Sequence, residues 1–174
     1  GTSTPFTFAG VDLGAADSRR VIMLIARGDA SGVTIGGVAA TTQGGIGDAE
    51  VWTALVPSGA TGDVVLSYSN TGYTNTWAYA FRLVNVSATK AQMVTAASGN
   101  PTTIVAPTTG NLVISMHKGA VAPVDAWTPP AGWTQIMKLT DPVGSDKLEG
   151  AWGVGAGVDI VGTSGGVQNV AGVE

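Results

Sequence analysis

Few residues in this chain are equipped for bond-making chemistry. There is one histidine, His117, and no cysteine. A lone imidazole can act as a base or bind a metal, but catalysis needs an orienting carboxylate or a second ligand. None stands near His117 at motif spacing, so it reads as a strand residue on an outer face. Gly162-Thr163-Ser164-Gly165-Gly166 matches G-x-S-x-G, but a nucleophile elbow needs a helix after the serine and a histidine downstream. Neither follows, and the segment reads as a glycine turn. Asp48 and Glu50 would share one face of a strand about 7 Å apart, within the carboxylate spacing of a glycosidase; after a glycine-rich turn they read as solubility residues. Asp141–Asp146 is too sparse in oxygen ligands for a calcium loop. No catalytic residue, metal site or cofactor is expected.

Aromatic side chains are the better candidates for recognition. Trp127 and Trp133 flank Thr128-Pro129-Pro130-Ala131-Gly132, a turn that belongs at the surface. They could stack on a sugar ring or pack beneath the prolines and hold the turn. Tyr73, in Asn70-Thr71-Gly72-Tyr73-Thr74-Asn75, is a weaker candidate for the same glycan-binding role. Trp52, Trp77 and Trp152 lie in alternating runs and read as core.

The elements that must position these residues are strands. Val64, Leu66 and Tyr68 alternate with Val65, Ser67 and Ser69. Trp77, Tyr79, Phe81 and Leu83 alternate with Ala78, Ala80, Arg82 and Val84. Leu112, Ile114 and Met116 alternate with Val113, Ser115 and His117. Period two marks a strand with one face in a core. Val21–Ala26 is apolar on both faces, which suits a central strand covered by a second sheet and by a neighbouring subunit or loop. Turns are expected at Gly36-Gly37, Gly44-Gly45, Pro57-Ser58-Gly59, Gly62-Asp63, Gly99-Asn100-Pro101 and Pro129-Pro130. About eleven or twelve strands at roughly 8–14-residue spacing predict an all-β antiparallel sandwich of jelly-roll-like or immunoglobulin-like order. A single domain over 1–174 is expected, with two pseudo-symmetric halves at 6–88 and 100–174. In these halves RRVIMLIARG, GGVAATTQ, the Trp52 strand and TNTWAYAFRLVNV are echoed by GNLVISMHKG, AGWTQIMKLTD, the Trp152 strand and VQNVAGVE.

Composition narrows the function. Glycine accounts for 26 of 174 residues and charged residues for 11%, against a typical charged fraction of roughly 25%. Net charge is −4, which argues against a nucleic-acid partner held through phosphates. The longest apolar run is six residues, far below the roughly 18 of a membrane helix. The opening GTSTPFTF does not read as a secretory leader. With few charges, the outer faces must be Gly, Ala, Thr, Ser and Val. Charged residues normally keep β surfaces apart, so their scarcity points to a homo-oligomer or multi-copy assembly.

TGNLVISMHKG, TPPAGWTQIMKL and LEGAWGVGAG, with VTIGGVAAT and VWTALVPSGATGDVVLSYS earlier, span about 10–170. This grammar resembles that of β-sandwich domains in bacteriophage and gene-transfer-agent structural proteins. Pro129, Pro130, Gly132 and Trp133 match its turn. The resemblance implies a virion location, on capsid or tail surface, and a non-enzymatic structural role. The roles it covers are capsid decoration (cement) protein, head spike and tail appendage, with the major capsid protein or other virion proteins as partners. Some similar domains bind glycans, which keeps a carbohydrate- or receptor-binding module as the alternative. The chain lacks the coiled coil and long repeats of fibre proteins, which favours a compact knob.

Overall fold

The computed structural model describes residues 4–46, 49–70, 72, 76–84, 86, 93–99, 102–104, 112–120, 131–140, 146–154, 160–162 and 167–173. Among them every regular element is a β-strand, and every strand pairing is antiparallel. The chain divides into two compact units, Gly1–Thr89 and Lys90–Glu174.

The first unit contains β1 (Thr4–Asp12), β2 (Arg20–Arg27), β3 (Ala30–Ile35), β4 (Val38–Ala39), β5 (Thr41–Ile46), β6 (Ala49–Leu55), β7 (Thr61–Tyr68) and β8 (Ala78–Val84). They form two four-stranded sheets, β1-β7-β3-β4 and β5-β6-β2-β8. Alternation directs Val33, Ile35, Val64, Leu66 and Tyr68 from the first sheet toward Ile22, Leu24, Ala26, Trp52 and Ala54 from the second. These side chains make one buried cluster, sealed by Leu13 and Val56 and flanked by Phe6 and Phe8. Each fully buried Leu or Ile contributes about 1.5–3 kcal/mol of transfer free energy. Phe6 meets Tyr68 edge to face, with ring centroids 5.8 Å apart, the arrangement the ring quadrupoles favour. This unit is a β-sandwich.

The apolar run in β2 is buried on both faces: Val21, Met23 and Ile25 are no more than 1% exposed, like Ile22, Leu24 and Ala26 on the opposite face. β2 is also flanked by β6 and β8, as its sequence predicts for a central strand.

Two expected turns are strand interiors. Gly44 and Gly45 lie within β5, where the register shifts between Thr42 and Gly44 and Gly44 adopts φ 115°; the dipeptide makes a bulge, not a reversal. Gly62 and Asp63 lie within β7. A Cβ on Gly62 would come within 2.7 Å of the Gly36 Cα, so this glycine permits a close backbone approach. The Gly36-Gly37 turn joins β3 to β4 as expected, with φ 57° and 79°.

The second unit contains β9 (Met93–Gly99), β10 (Thr102–Ile104), β11 (Leu112–Ala120), β12 (Thr134–Thr140), β13 (Asp146–Val154), β14 (Ile160–Gly162) and β15 (Val167–Val173). Its sheets are β12-β13-β11-β15-β9 and β10-β14. Beyond the twelve longer strands, β4, β10 and β14 have two or three residues, too few to show a periodic pattern.

The strands whose sequences echo one another also share an order. In the first unit β5-β6-β2-β8 are neighbours, and in the second β12-β13-β11-β15. Trp52 stands between Thr42 and Leu24, and Trp152 between Thr134 and Ile114. The β1–β7 pair of the first unit corresponds in chain order to β10–β14. Among the described residues β3 and β4 have no counterpart in the second unit and β9 has none in the first; β9 lies along β15, on the side where β8 ends its sheet.

Candidate functional surface

The outer face of the β1-β7-β3-β4 sheet is built from small uncharged residues. One row runs Thr7, Val65, Thr34, Ala39 across all four strands, and the next runs Pro5, Ser67, Gly32. Period two puts their neighbours Phe6, Leu66 and Val33 into the core and leaves these outside. Charge enters at one end of this face, at Asp12 and Asp63. Both carboxylates are engaged by backbone: Gly14 N–H donates to Asp12 Oδ1 at 2.8 Å, and Gly10 N–H to Asp63 Oδ1 at 2.9 Å. The Asp63 bond lies at the β1 bulge, where the register shifts between Phe8 and Val11 and Gly10 has φ 64°.

At that end the face opens into a shallow cleft of about 510 Å³, lined by Thr34, Val65, the Gly36-Gly37 turn, Ser58-Gly59 and Thr61–Asp63. Its side-chain chemistry is hydroxyl and carboxylate, on a floor of glycine backbone. Such a lining hydrogen-bonds an incoming loop or polyol, but it supplies no paired base and nucleophile.

Arg20 fixes the loops beside this end. Its side chain is 0% exposed and bonds to carbonyls. Nε donates to Val56 O at 2.7 Å, Nη1 to Gly14 O at 2.7 Å and Leu13 O at 3.3 Å, and Nη2 to Ser58 O at 2.8 Å. One guanidinium thus ties the β1–β2 loop to the β6–β7 loop. The planar fork spreads its donors over separate nitrogens and so spans carbonyls of two loops, where a lysine gathers its donors at one point.

Near the opposite end of β2, Glu50 accepts from Trp52 Nε1 and from Asp29 N–H, each at 3.1 Å. Asp29 holds φ 69°, a conformation Asp tolerates better than most residues. Tyr68 Oη donates to Arg27 O at 3.2 Å and lies 2.6 Å from Thr76 Oγ1. Burial pushes the Tyr68 phenol above its ordinary value, against the smaller opposing effects of the Thr76 bond and of Arg27; burial pushes Tyr79 up likewise.

No family profile, curated protein or solved structure matches the chain.

Of the aromatic candidates for glycan binding, Trp127 and Tyr73 lie outside the described residues. Trp133 is half-buried, and its indole lies over Gly153, where an added Cβ would come within 2.5 Å of three ring atoms. One ring face is therefore covered by β13. Trp152, expected in the core, is 41% exposed, whereas Trp52 at the corresponding register position is 7% exposed. Alternation along β13 puts Trp152 on the sheet face opposite Gly153, so Trp133 and Trp152 do not form one platform.

The second unit also supplies a neighbour that the sequence spacing hid. His117 is directly opposite Glu149, which is opposite Lys138, so His117, Glu149 and Lys138 form one cross-strand row. Of the Asp48/Glu50 pair, Asp48 is outside the described residues, as are 141–145 of the sparse acidic loop and 163–166 of the G-x-S-x-G segment. Among the described residues no group of three or more His, Asp or Glu is placed to hold a metal, and no helix is long and apolar enough to cross a membrane.

Proposed function

We propose that this chain is a non-enzymatic structural protein of a phage-like particle, a capsid decoration (cement) protein or short head spike. The observation that carries this reading is the pair of uncharged rows across the outer face of the β1-β7-β3-β4 sheet, made of Thr, Val, Ser, Ala, Pro and Gly, with carboxylates at one end only. Burying such rows against another protein desolvates no charge, and their hydroxyls can be satisfied by hydrogen bonds to the partner. The resemblance in turn and strand grammar to phage structural domains supplies the setting, with the major capsid protein as the partner. The mechanism is mechanical. The protein binds the assembled shell and not its separated subunits, so each bound copy shifts the equilibrium toward the intact shell by mass action.

Immunogold labelling of particles shed by the source culture tests this reading. Gold spread over capsids is the expected result, and particles lacking the protein should lose heat tolerance. Unlabelled particles would overturn it. Thr34→Lys and Val65→Lys place charge on the outer face without entering the core, and each should release the protein from particles while leaving its fold intact.

The exposed indole of Trp152, beside exposed Thr134, favours carbohydrate binding as a second reading, since an aromatic ring and a hydroxyl suit a sugar. A glycan panel at about millimolar concentration, read by tryptophan fluorescence, should show binding that Trp152→Ala removes. A silent panel would end this reading.

A further inference from the structure

The hydrogen-bond phase of β2 determines which backbone groups of β8 face outward. Val56 N–H donates to Arg20 O, and Arg27 N–H donates to Trp77 O, so even-numbered residues of β2 turn toward β6 and odd-numbered ones toward β8. Antiparallel alternation then makes Ile25/Tyr79, Met23/Phe81 and Val21/Leu83 the bonded pairs. The N–H and C=O groups of Ala78, Ala80, Arg82 and Val84 point away from the sheet. Among the described residues no strand takes them up, and Ala80 and Arg82 are exposed.

Other edges are blunted. The pairings of β1, β5, β12 and β9 each contain a register shift, and β4 has two residues. β8 instead runs through seven residues of unbroken register, the form of edge that invites a further strand. The corresponding edge in the second unit, that of β15, does carry one: β9, antiparallel.

We propose that two copies of this chain join edge to edge through β8, antiparallel about a two-fold axis at Phe81, into a continuous eight-stranded sheet. This register is self-complementary. Ala80 exchanges both backbone bonds with the partner's Arg82, Ala78 does so with the partner's Val84, and Phe81 faces the partner's Phe81 as the close, unbonded pair at the centre. Arg82 is the one charge on β8, and this axis sets it against alanine. An axis at Arg82 would bring two guanidinium groups together. The inference stands whether or not the particle reading does.

Sedimentation velocity on the full chain from about 1 to 100 µM tests the proposal, in the range where weak dimers dissociate. The expected result is a concentration-dependent shift from the mass of one chain to that of two. Ala80→Pro removes an outward N–H that β2 does not use, so it should keep the circular dichroism of the parent and abolish the dimer. Ala80→Glu and Ala80→Lys test the register: each faces the partner's Arg82 twice per dimer, so their dissociation constants should differ about tenfold, with Glu tighter. A wild-type chain still monomeric at the highest concentration would overturn the proposal, even if a foreign strand could add there. A folded Ala80→Pro variant that still dimerised would also overturn it. If Ala80→Pro fails to fold, the Glu and Lys variants decide, and equal constants for the two reject the register.

Discussion

At the residue scale the most consequential side chain in the first unit is Arg20. Its partners are the carbonyls of Leu13, Gly14, Val56 and Ser58, and carbonyls leave no signature in a sequence. Nothing in SRRVIMLIARG therefore separates Arg20, fully buried, from the exposed Arg19 beside it. Arg20→Met should cost about 3 kcal/mol in urea unfolding by leaving buried carbonyls unpaired. Arg20→Lys should recover only part of that, because an ammonium cannot span both loops. Tyr68 sets a pH limit. Its pKa is raised by burial, so the folded state retains the phenolic proton that the unfolded chain releases above pH about 10. Stability is then level below that pH and falls as pH rises through the folded value; Tyr79 acts in the same direction. Melting temperature measured from pH 8 to 11 should show this decline. Tyr68→Phe should shallow it, while costing about 1 kcal/mol at neutral pH through its lost bonds.

At the element scale the sequence was most legible where period two met apolar residues. The alternation at 64–69, 77–84 and 112–117 became β7, β8 and β11, and the two-faced run at 21–26 became the central strand β2. Glycine was less legible because it serves two purposes. Gly36-Gly37 turns the chain, but Gly62 stands in a strand to let β7 pass against Gly36. Gly62→Ala should therefore cost about 1–3 kcal/mol by forcing the two backbones apart, whereas in an open strand the same change would stabilise. Thermal unfolding checks the sign. Register was beyond reach. His117 and Glu149 are 32 positions apart in the chain, and only the pairing of β11 with β13 makes them neighbours. The exposure of Trp152 was hidden for a related reason: its alternation matches that of Trp52, and what covers a sheet face is not written within the strand.

For the whole molecule, the decisive pattern is one strand order built twice. The sheet β5-β6-β2-β8 ends at an open strand, while β12-β13-β11-β15 continues into β9. Corresponding positions have been put to different uses, with Trp52 buried and Trp152 exposed. The low charge content, 11% of residues, acts at this scale, since it leaves the broad sheet faces free of the repulsion that keeps most soluble domains apart. Composition made this feature readable before any fold was known, but which face is uncharged depended on strand order.

The double-sided burial of β2 also governs how the first unit opens. Its amides are bonded to β6 on one side and β8 on the other, with buried side chains above and below. The even-numbered amides, bonded to β6, are out of reach of fraying at the β8 edge, whereas those of Met23 and Ile25 are bonded to that edge strand. In native-state hydrogen exchange the amides of Ile22 and Leu24 should be the slowest in this unit, exchanging through complete unfolding. Destabilising the unit by Arg20→Met should then speed both by one common factor. Ile22 and Leu24 exchanging by different factors would mean that the sandwich parts its layers before it unfolds.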